Sequence, residues 1–448
     1  MEIKSGINTV KLNTITAGVL ALFMSGVVAA AGTTLESRNT AGEIAEGTSF
    51  TGGTVDSLAI SADGRYVVFA SGATNLVADD TNGWNDIFLR DRLLGTTVRI
   101  NLGAGGEQAN QDSEHPTISR DGRYIAYESA ATNLVSTANN GVYHIFRYDT
   151  VTNTTIHVSK TTAGVQGNGS SQFPAISNDG RYISFTSLAT NLVARDTNAR
   201  PDVFRRDVVS NITIRASVTN AGAQGNNTQT RSINMTSSIS GDGRYVLFRS
   251  SATNLVAGDT NGVDDLFVRD CTGLTTKRVS LSNTGVQPND YSYMGKISND
   301  GRYVVFSTAA TNLVTGDTNI SEDVFIRDRT LNTTTRLSVN SSGAQTTVGE
   351  LGSNKPSISD DDRYVVFTSY ADNLIADDTN AVADTFMRDR TTNTTTRVSI
   401  GNADEQCDDY CNDGVISGNG LFVGFTSASD NLVVDGYNGL TQLFVRSR

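Results

Sequence analysis

The chain has 448 residues, of which 38% are apolar and 18% charged, with 42 Gly, 5 Pro and a formal net charge of −12. That composition excludes a disordered acidic tail, a collagen and a polytopic membrane protein. Only six of the 35 basic residues are Lys, and an acid excess of this size is repelled by phosphate backbones, so no nucleic-acid partner is expected.

The first element is a targeting segment. Lys4 and Lys11 give it a positive start, residues 15–28 are uncharged and apolar, and Ala29-Ala30-Ala31-Gly32 follows. These are the three regions of a secretory signal peptide, predicted over residues 1–31. The apolar stretch is short for a membrane anchor, so no integral membrane segment is expected after cleavage. The mature protein is expected to be periplasmic or secreted.

From residue 33 onward the chain repeats itself. Ser-x-Asp-Gly-Arg-Tyr followed by an apolar run occurs at residues 61–69, 119–127, 177–185, 240–248 and 298–306. A sixth copy at 359–367 has Asp361-Asp362 in place of Asp-Gly, and a seventh at 417–425 has Asn419-Gly420-Leu421-Phe422. The spacings between copies are 58, 58, 63, 58, 61 and 58 residues. Self-similarity of this kind means stacked units, none of which buries its apolar faces alone.

Each unit reads as four short strands. In the fourth copy these are residues 237–240, then 244–250 after the Asp242-Gly243 turn, 265–269 and 277–281. The second strand is apolar on consecutive residues, Tyr245, Val246, Leu247 and Phe248, so both sheet faces are covered. The fold class predicted is all-β: one seven-bladed β-propeller domain over residues 33–448, built of four-stranded antiparallel blades. The last copy ends at Leu443-Phe444-Val445-Arg446, its third strand. Thr33-Thr34-Leu35-Glu36-Ser37-Arg38 aligns with the fourth strand of other copies, so the N-terminal strand is expected to complete the last blade and close the ring.

The motif Ser-x-Asp-Gly-Arg-Tyr-x-x-Phe resembles the WD-like repeat of TolB-like propeller proteins, and the resemblance covers residues 33–448. It implies the propeller fold. TolB proteins carry an additional N-terminal α/β domain, for which this chain has no counterpart, so the resemblance implies no partner.

Alternating strands place the long loops, between the second and third strands and between blades, at one end of the propeller. That end is the expected binding face. It carries a second repeated motif, Asp-Thr-Asn-x-x-x-Asp. The motif supplies Asp80, Asn82 and Asp86 in the first blade, Asp196, Asn198 and Asp202 in the third, and Asp259, Asn261 and Asp265 in the fourth. The fifth blade has Asp317, Asn319 and Asp323, and the sixth Asp378, Asn380 and Asp384. Oxygen side chains at positions 1, 3 and 7 match the early ligands of a calcium loop, which makes structural Ca2+ one reading. The other is that the first Asp forms an Asx turn while the last pairs with a neighbouring Arg. Gln108, Gln166, Gln224, Gln287, Gln345 and Gln406 recur in the inter-blade connections and are expected to bridge neighbouring blades. Arg90-Asp91 and its equivalents read as pairing on the rim.

Departures from the repeat carry the functional reading. In the second unit His144 replaces the last motif Asp and the first Asp is missing. His115, Tyr143 and His144 could converge as a proton-transfer group, the arrangement used by several propeller polysaccharide lyases that this unit resembles. His157 replaces the strand-four Arg and reads as structural. Cys407 and Cys411 flank a small loop that a disulfide would close, leaving Cys271 over. The function expected is an exported binding or scaffold protein presenting an acidic loop face to a protein or glycan ligand, steadied by calcium in the first reading. The alternative is a polysaccharide lyase or hydrolase centred on the second blade.

Overall fold

The computed structural model describes residues 32–46, 58–136, 140–226, 236–347, 352–434 and 439–448, so the signal segment expected at 1–31 lies outside the described residues. Seven four-stranded antiparallel sheets stand in a ring. Six are sequential meanders. The seventh has the order Gly32–Leu35, Gln442–Ser447, Phe422–Ser427, Cys411–Ile416, counted inward. Leu35 faces Phe444 and Thr33 faces Arg446 across this closing pair. The N-terminal strand therefore completes the last blade, as the alignment of Thr33–Arg38 with other fourth strands requires. Among the described residues no helix is long and apolar enough to cross a membrane.

The repeat motif explains the blade. Ser61 Oγ donates to Asp63 Oδ1 at 2.6 Å, and the Arg65 amide donates to the same oxygen at 3.0 Å. The Tyr66 amide donates back to Ser61 Oγ, which fixes the turn from the inner strand Leu58–Ile60 to Tyr66–Ser71. The turn glycine serves two ends. Gly243 has φ +70°, and a Cβ there would stand 2.1 Å from the Tyr182 ring of the preceding blade. Motif Gly and motif Tyr are thus one inter-blade contact.

The third-strand Arg and Asp do not pair with each other on the rim. Asp207 accepts from Nε and Nη2 of Arg181 in the motif turn, at 3.0 and 2.7 Å. Arg206 is buried and reaches the Lys160 and Thr161 carbonyls of the connection behind it, together with Thr213 Oγ1. It pins one blade to the next. The fourth strands are shifted from the sequence reading: Thr275–Arg278 stands where 277–281 was expected. Paired strands bury a Phe pair in most blades, such as Phe248 on Phe267 at 5.8 Å.

Candidate functional site

The innermost strands line a central cavity of about 240 Å³. All seven blades contribute to it, among them Leu58, Thr117, Phe173, Ser237, Lys296, Ser357 and Val415. The two ends of this channel differ. At the short-turn end, Arg120 of the second blade is ion-paired with Asp360 of the sixth, and Asn178 Nδ2 of the third donates to Asn299 Oδ1 of the fifth at 2.7 Å. Neither pair joins adjacent blades: the first reaches past the first and seventh blades, and the second passes over Gly241 of the fourth. A backbone hydrogen-bonded collar reinforces them: Ala62 to Arg120, Asn178 to Gly241, Gly241 to Asn299, Asp360 to Gly418 and Asn419 to Ala62.

The seven inner strands share one pairing register, so their positions can be compared column by column. Position 296 is Lys where the other inner strands carry Ala59, Thr117, Ala175, Ser238, Ser357 and Val415 in the same register. Lys296 is thus an ammonium placed among small side chains on the cavity wall. At the loop-end mouth, Glu128 stands where the other blades have Ala70, Thr186, Arg249, Ser307, Thr368 and Thr426. It is fully buried, accepts Gln172 Nε2 at 2.9 Å and the Phe173 amide at 2.6 Å from the third blade, and its Oε1 lies 3.1 Å from His115 Nδ1. Glu114 lies directly across the strand pair from Glu128. Burial pushes the Glu114 carboxyl up, His115 opposes that, and the Glu128 charge adds to it. Around the same mouth Arg249 pairs with Asp264 and lies over Tyr293, Asn354 reaches Glu322, and Lys355 pairs with Asp413.

The expected trio does not converge. His115 lines the cavity. Tyr143 borders the same carboxylates: burial raises its phenol pKa, and Glu114, Asp112 and Glu128 add to the rise. His144 turns the other way, into the blade. Its Nε2 is 2.8 Å from Asn140 Oδ1 and its Nδ1 3.0 Å from Ser159 Oγ, which is also 3.1 Å from His157 Nε2. Asn140 directs its amide nitrogen at the Gly167 carbonyl, so Nε2 of His144 carries the proton and Nδ1 accepts from Ser159. Burial lowers the His144 pKa to about 4 and, with the His144 and Lys160 charges, that of His157 to about 3. Both rings are neutral packing groups at pH 7.

The five Asp-Thr-Asn-x-x-x-Asp loops each enclose an arginine, and this differs from the calcium expectation. Arg278 Nη1 is 3.2 Å from Asp259 and 2.8 Å from Asp265, and its side chain is only 7% exposed. Arg99 sits in the same way between Asp80 and Asp86, and Arg215 between Asp196 and Asp202. Arg336 stands between Asp317 and Asp323, 3.0 and 3.1 Å away, and Arg397 between Asp378 and Asp384, both at 3.1 Å. A guanidinium thus occupies the space between carboxylates that the calcium reading assigns to an ion.

The middle residue of each loop is also engaged with protein. Asn319 Nδ2 donates to Asp323 at 3.2 Å and to the Thr346 carbonyl at 3.1 Å. Asn380 Nδ2 donates to Asp384 at 2.9 Å and to the Cys407 carbonyl at 3.0 Å. Asn82 and Asn261 make the same two bonds, to Asp86 and Ala109 and to Asp265 and Pro288, while Asn198 reaches the Gly225 carbonyl. The Asn therefore turns a donor, not a ligand oxygen, toward the last Asp. Its oxygen makes the Asx turn that had been expected of the first Asp: the Trp84 and Arg200 amides donate to Asn82 and Asn198, and the Val382 amide to Asn380 at 3.4 Å. Burial and the Asp202 charge hold Asp196 up at about 6 against the pull of Arg215. Blades two and seven lost the set together. The last Asp and the Arg are His144 and His157 in one, Gln442 and Leu35 in the other.

The recurrent Gln acts within its blade. Gln287 Nε2 donates to the Gly258 carbonyl, while its Oε1 accepts from the Thr260 amide and from Arg278. The amide that joins neighbours is the Asn of Thr-Asn-Leu: Asn312 Nδ2 donates to the Gln287 carbonyl and Asn133 Nδ2 to that of Gln108. Cys407 and Cys411 form the expected disulfide with Cα atoms 6.4 Å apart, and Cys271 is free and buried. The disulfide removes both thiolates from the neighbourhood of Asp384, so that cluster offers a metal no sulfur ligand.

No protein-family profile and no curated protein matches the chain by sequence. Solved structures do match. An oligogalacturonate lyase from Vibrio parahaemolyticus is 10% identical with a TM-score of 0.51, covering 93% of this chain and 96% of its own. An oligogalacturonate lyase in complex with manganese is 12% identical, also with a TM-score of 0.51 and the same coverage. TolB from Acinetobacter baumannii is 15% identical with a TM-score of 0.38, covering 86% of this chain and 81% of its own. The likeness is one of fold. The chain is a seven-bladed β-propeller.

Proposed function

We propose that this is an exported binding protein that takes a protein or glycan ligand at the loop-end mouth of its central cavity. The observation that carries this reading is the clustering of repeat departures, Lys296, His115, Glu128, Arg249 and Lys355, at or inside the mouth of the central channel. A repeated scaffold has no packing need for charged and imidazole side chains at the mouth of a channel. Exposed aromatic rings on the same face, Trp84, Tyr291 and Tyr410, add apolar surface for a sugar or side chain. The test is a thermal-shift panel of neutral and acidic oligosaccharides and envelope-protein fractions, followed by titration of any hit against Lys296→Ala. A hit that weakens on removal of Lys296 supports the reading, and a hit bound equally by wild type and Lys296→Ala places the binding elsewhere.

A second reading draws on the oligogalacturonate lyases of the same fold: β-elimination on an acidic polysaccharide, with His115 and Tyr143 as the proton-transfer pair and without His144. It predicts unsaturated-sugar absorbance from oligogalacturonate that is lost in Tyr143→Phe. Substrate incubated without any new absorbance removes it.

A further inference from the structure

We propose that Glu114, His115 and Glu128 form a divalent-cation site at the mouth of the cavity, bound through one imidazole nitrogen and two carboxylates. Their ligand atoms all lie within 4.8 Å of one another. A nitrogen with two hard oxygens suits a first-row divalent ion of the Mn2+ or Zn2+ class.

A divalent ion would relieve the electrostatics of this cluster. Glu114 and Glu128 face each other on paired strands, the placement in which like charges destabilise a sheet most directly. Glu128 is fully buried and His115 nearly so, and a buried charge needs a compensating one. A protonated His115 would balance only one of the two carboxylates. A divalent ion with neutral His115 balances both.

The surrounding residues have the character of an outer shell. Gln172 Nε2 and the Phe173 amide hold the Glu128 carboxylate from the next blade, and Asn85 Nδ2 reaches Glu114 at 3.5 Å from the previous one. Such partners orient ligands before the ion arrives. The three ligands belong to this blade alone. Positions 114 and 115 are Asp56-Ser57, Gln172-Phe173, Met235-Thr236, Tyr293-Met294, Asn354-Lys355 and Asn412-Asp413 in the other copies. Because His115 lines the cavity, an ion there has an entry path and coordination positions left for water or ligand. The arginine-filled loops offer no comparable opening. This inference goes beyond the ligand reading and is tested on the protein alone.

The experiment is titration of the purified chain with Mn2+, read by loss of the free-ion EPR signal, with Zn2+ as competitor. One saturable site per chain is expected. Glu114→Gln and His115→Gln, chosen because Glu128 is too deeply buried to alter safely, should each weaken it beyond the ~10–100-fold typical of losing an outer-shell partner. Asp378→Asn in an arginine-filled loop should leave it unchanged. Melting curves establish that each variant is folded. Absence of a saturable site at millimolar Mn2+, or equal affinity in folded Glu114→Gln and His115→Gln and the wild type, overturns the proposal.

Discussion

Replacing Arg278 by Ala isolates what the five arginine-filled loops contribute. The guanidinium is 7% exposed, Asp265 is fully buried and Asp259 is 5% exposed. After truncation Asp265 keeps Ser280 Oγ at 2.7 Å and Asn261 Nδ2 at 3.1 Å, but neither brings positive charge. Removing one partner from a buried pair of this kind costs about 3–5 kcal/mol, most of it the penalty on the stranded carboxylates. That cost should shrink as pH falls. Burial already raises the Asp259 pKa, and without Arg278 it rises further, so protonation relieves the repulsion. Urea unfolding at pH 7 and pH 5, with and without millimolar Ca2+, reads both effects. Calcium should recover part of the loss in Arg278→Ala, whose loop then has a vacancy between two carboxylates, beyond any shift it gives the wild type. A cost below ~1 kcal/mol, the range of solvated surface pairs, would refute the reasoning. So would a Ca2+ shift no larger in Arg278→Ala than in the wild type.

The buried histidine pair predicts an acid-side weakness. Both folded pKa values, about 4 and about 3, lie below the unfolded value near 6.5, so the unfolded chain binds more protons as pH falls through that window. The wild type should lose about 3 kcal/mol through His144 alone between pH 7 and pH 4, relative to a His144→Asn/His157→Gln variant. Equal pH slopes for the two proteins would contradict this. Gly243→Ala should cost ~2–5 kcal/mol, from its positive φ plus the Tyr182 ring, against ~1–2 kcal/mol for Gly222→Ala, which has φ +80° and open space around it. Equal losses in denaturation curves would show that the ring contact is unimportant. Thiol titration should find no reactive Cys in the native protein, one after unfolding without reductant, and three after reduction. Three before reduction would exclude the Cys407–Cys411 bond.

The architecture was legible because its determinants are local and repeated. Ser-x-Asp-Gly-Arg-Tyr specifies a turn, a strand start and an inter-blade contact within six residues, and the alignment of Thr33–Arg38 with other fourth strands revealed the closure. The site was harder to read for two physical reasons. His115 and His144 both depart from the repeat, but their orientation depends on strand register, which turns one ring to the cavity and the other into the blade. The Asp-Thr-Asn-x-x-x-Asp loop looked like a cation site because its cation, an arginine thirteen residues after the last Asp, lies on another strand. Asn319 and Asn380 looked like oxygen ligands for a related reason: an amide offers either end, and only the position of Asp323 or Asp384 decides which end faces inward. The joint loss of Arg and Asp in blades two and seven was the available signal. Glu114, Glu128 and Lys296 escaped notice because each occurs once. Only a column-by-column comparison of the seven copies exposes them.

The pairing of Leu35 with Phe444 has a consequence for how the molecule is made. Six sheets draw their strands from neighbouring sequence, but the seventh joins segments about four hundred residues apart, so it forms only after the last residues have emerged and carries a large loop-closure entropy. Until then the last sheet presents a raw edge, and the face of the first sheet that packs on Leu443 and Val445 is uncovered. Trimming a few residues from the tail would strike the last sheet and release the whole circle.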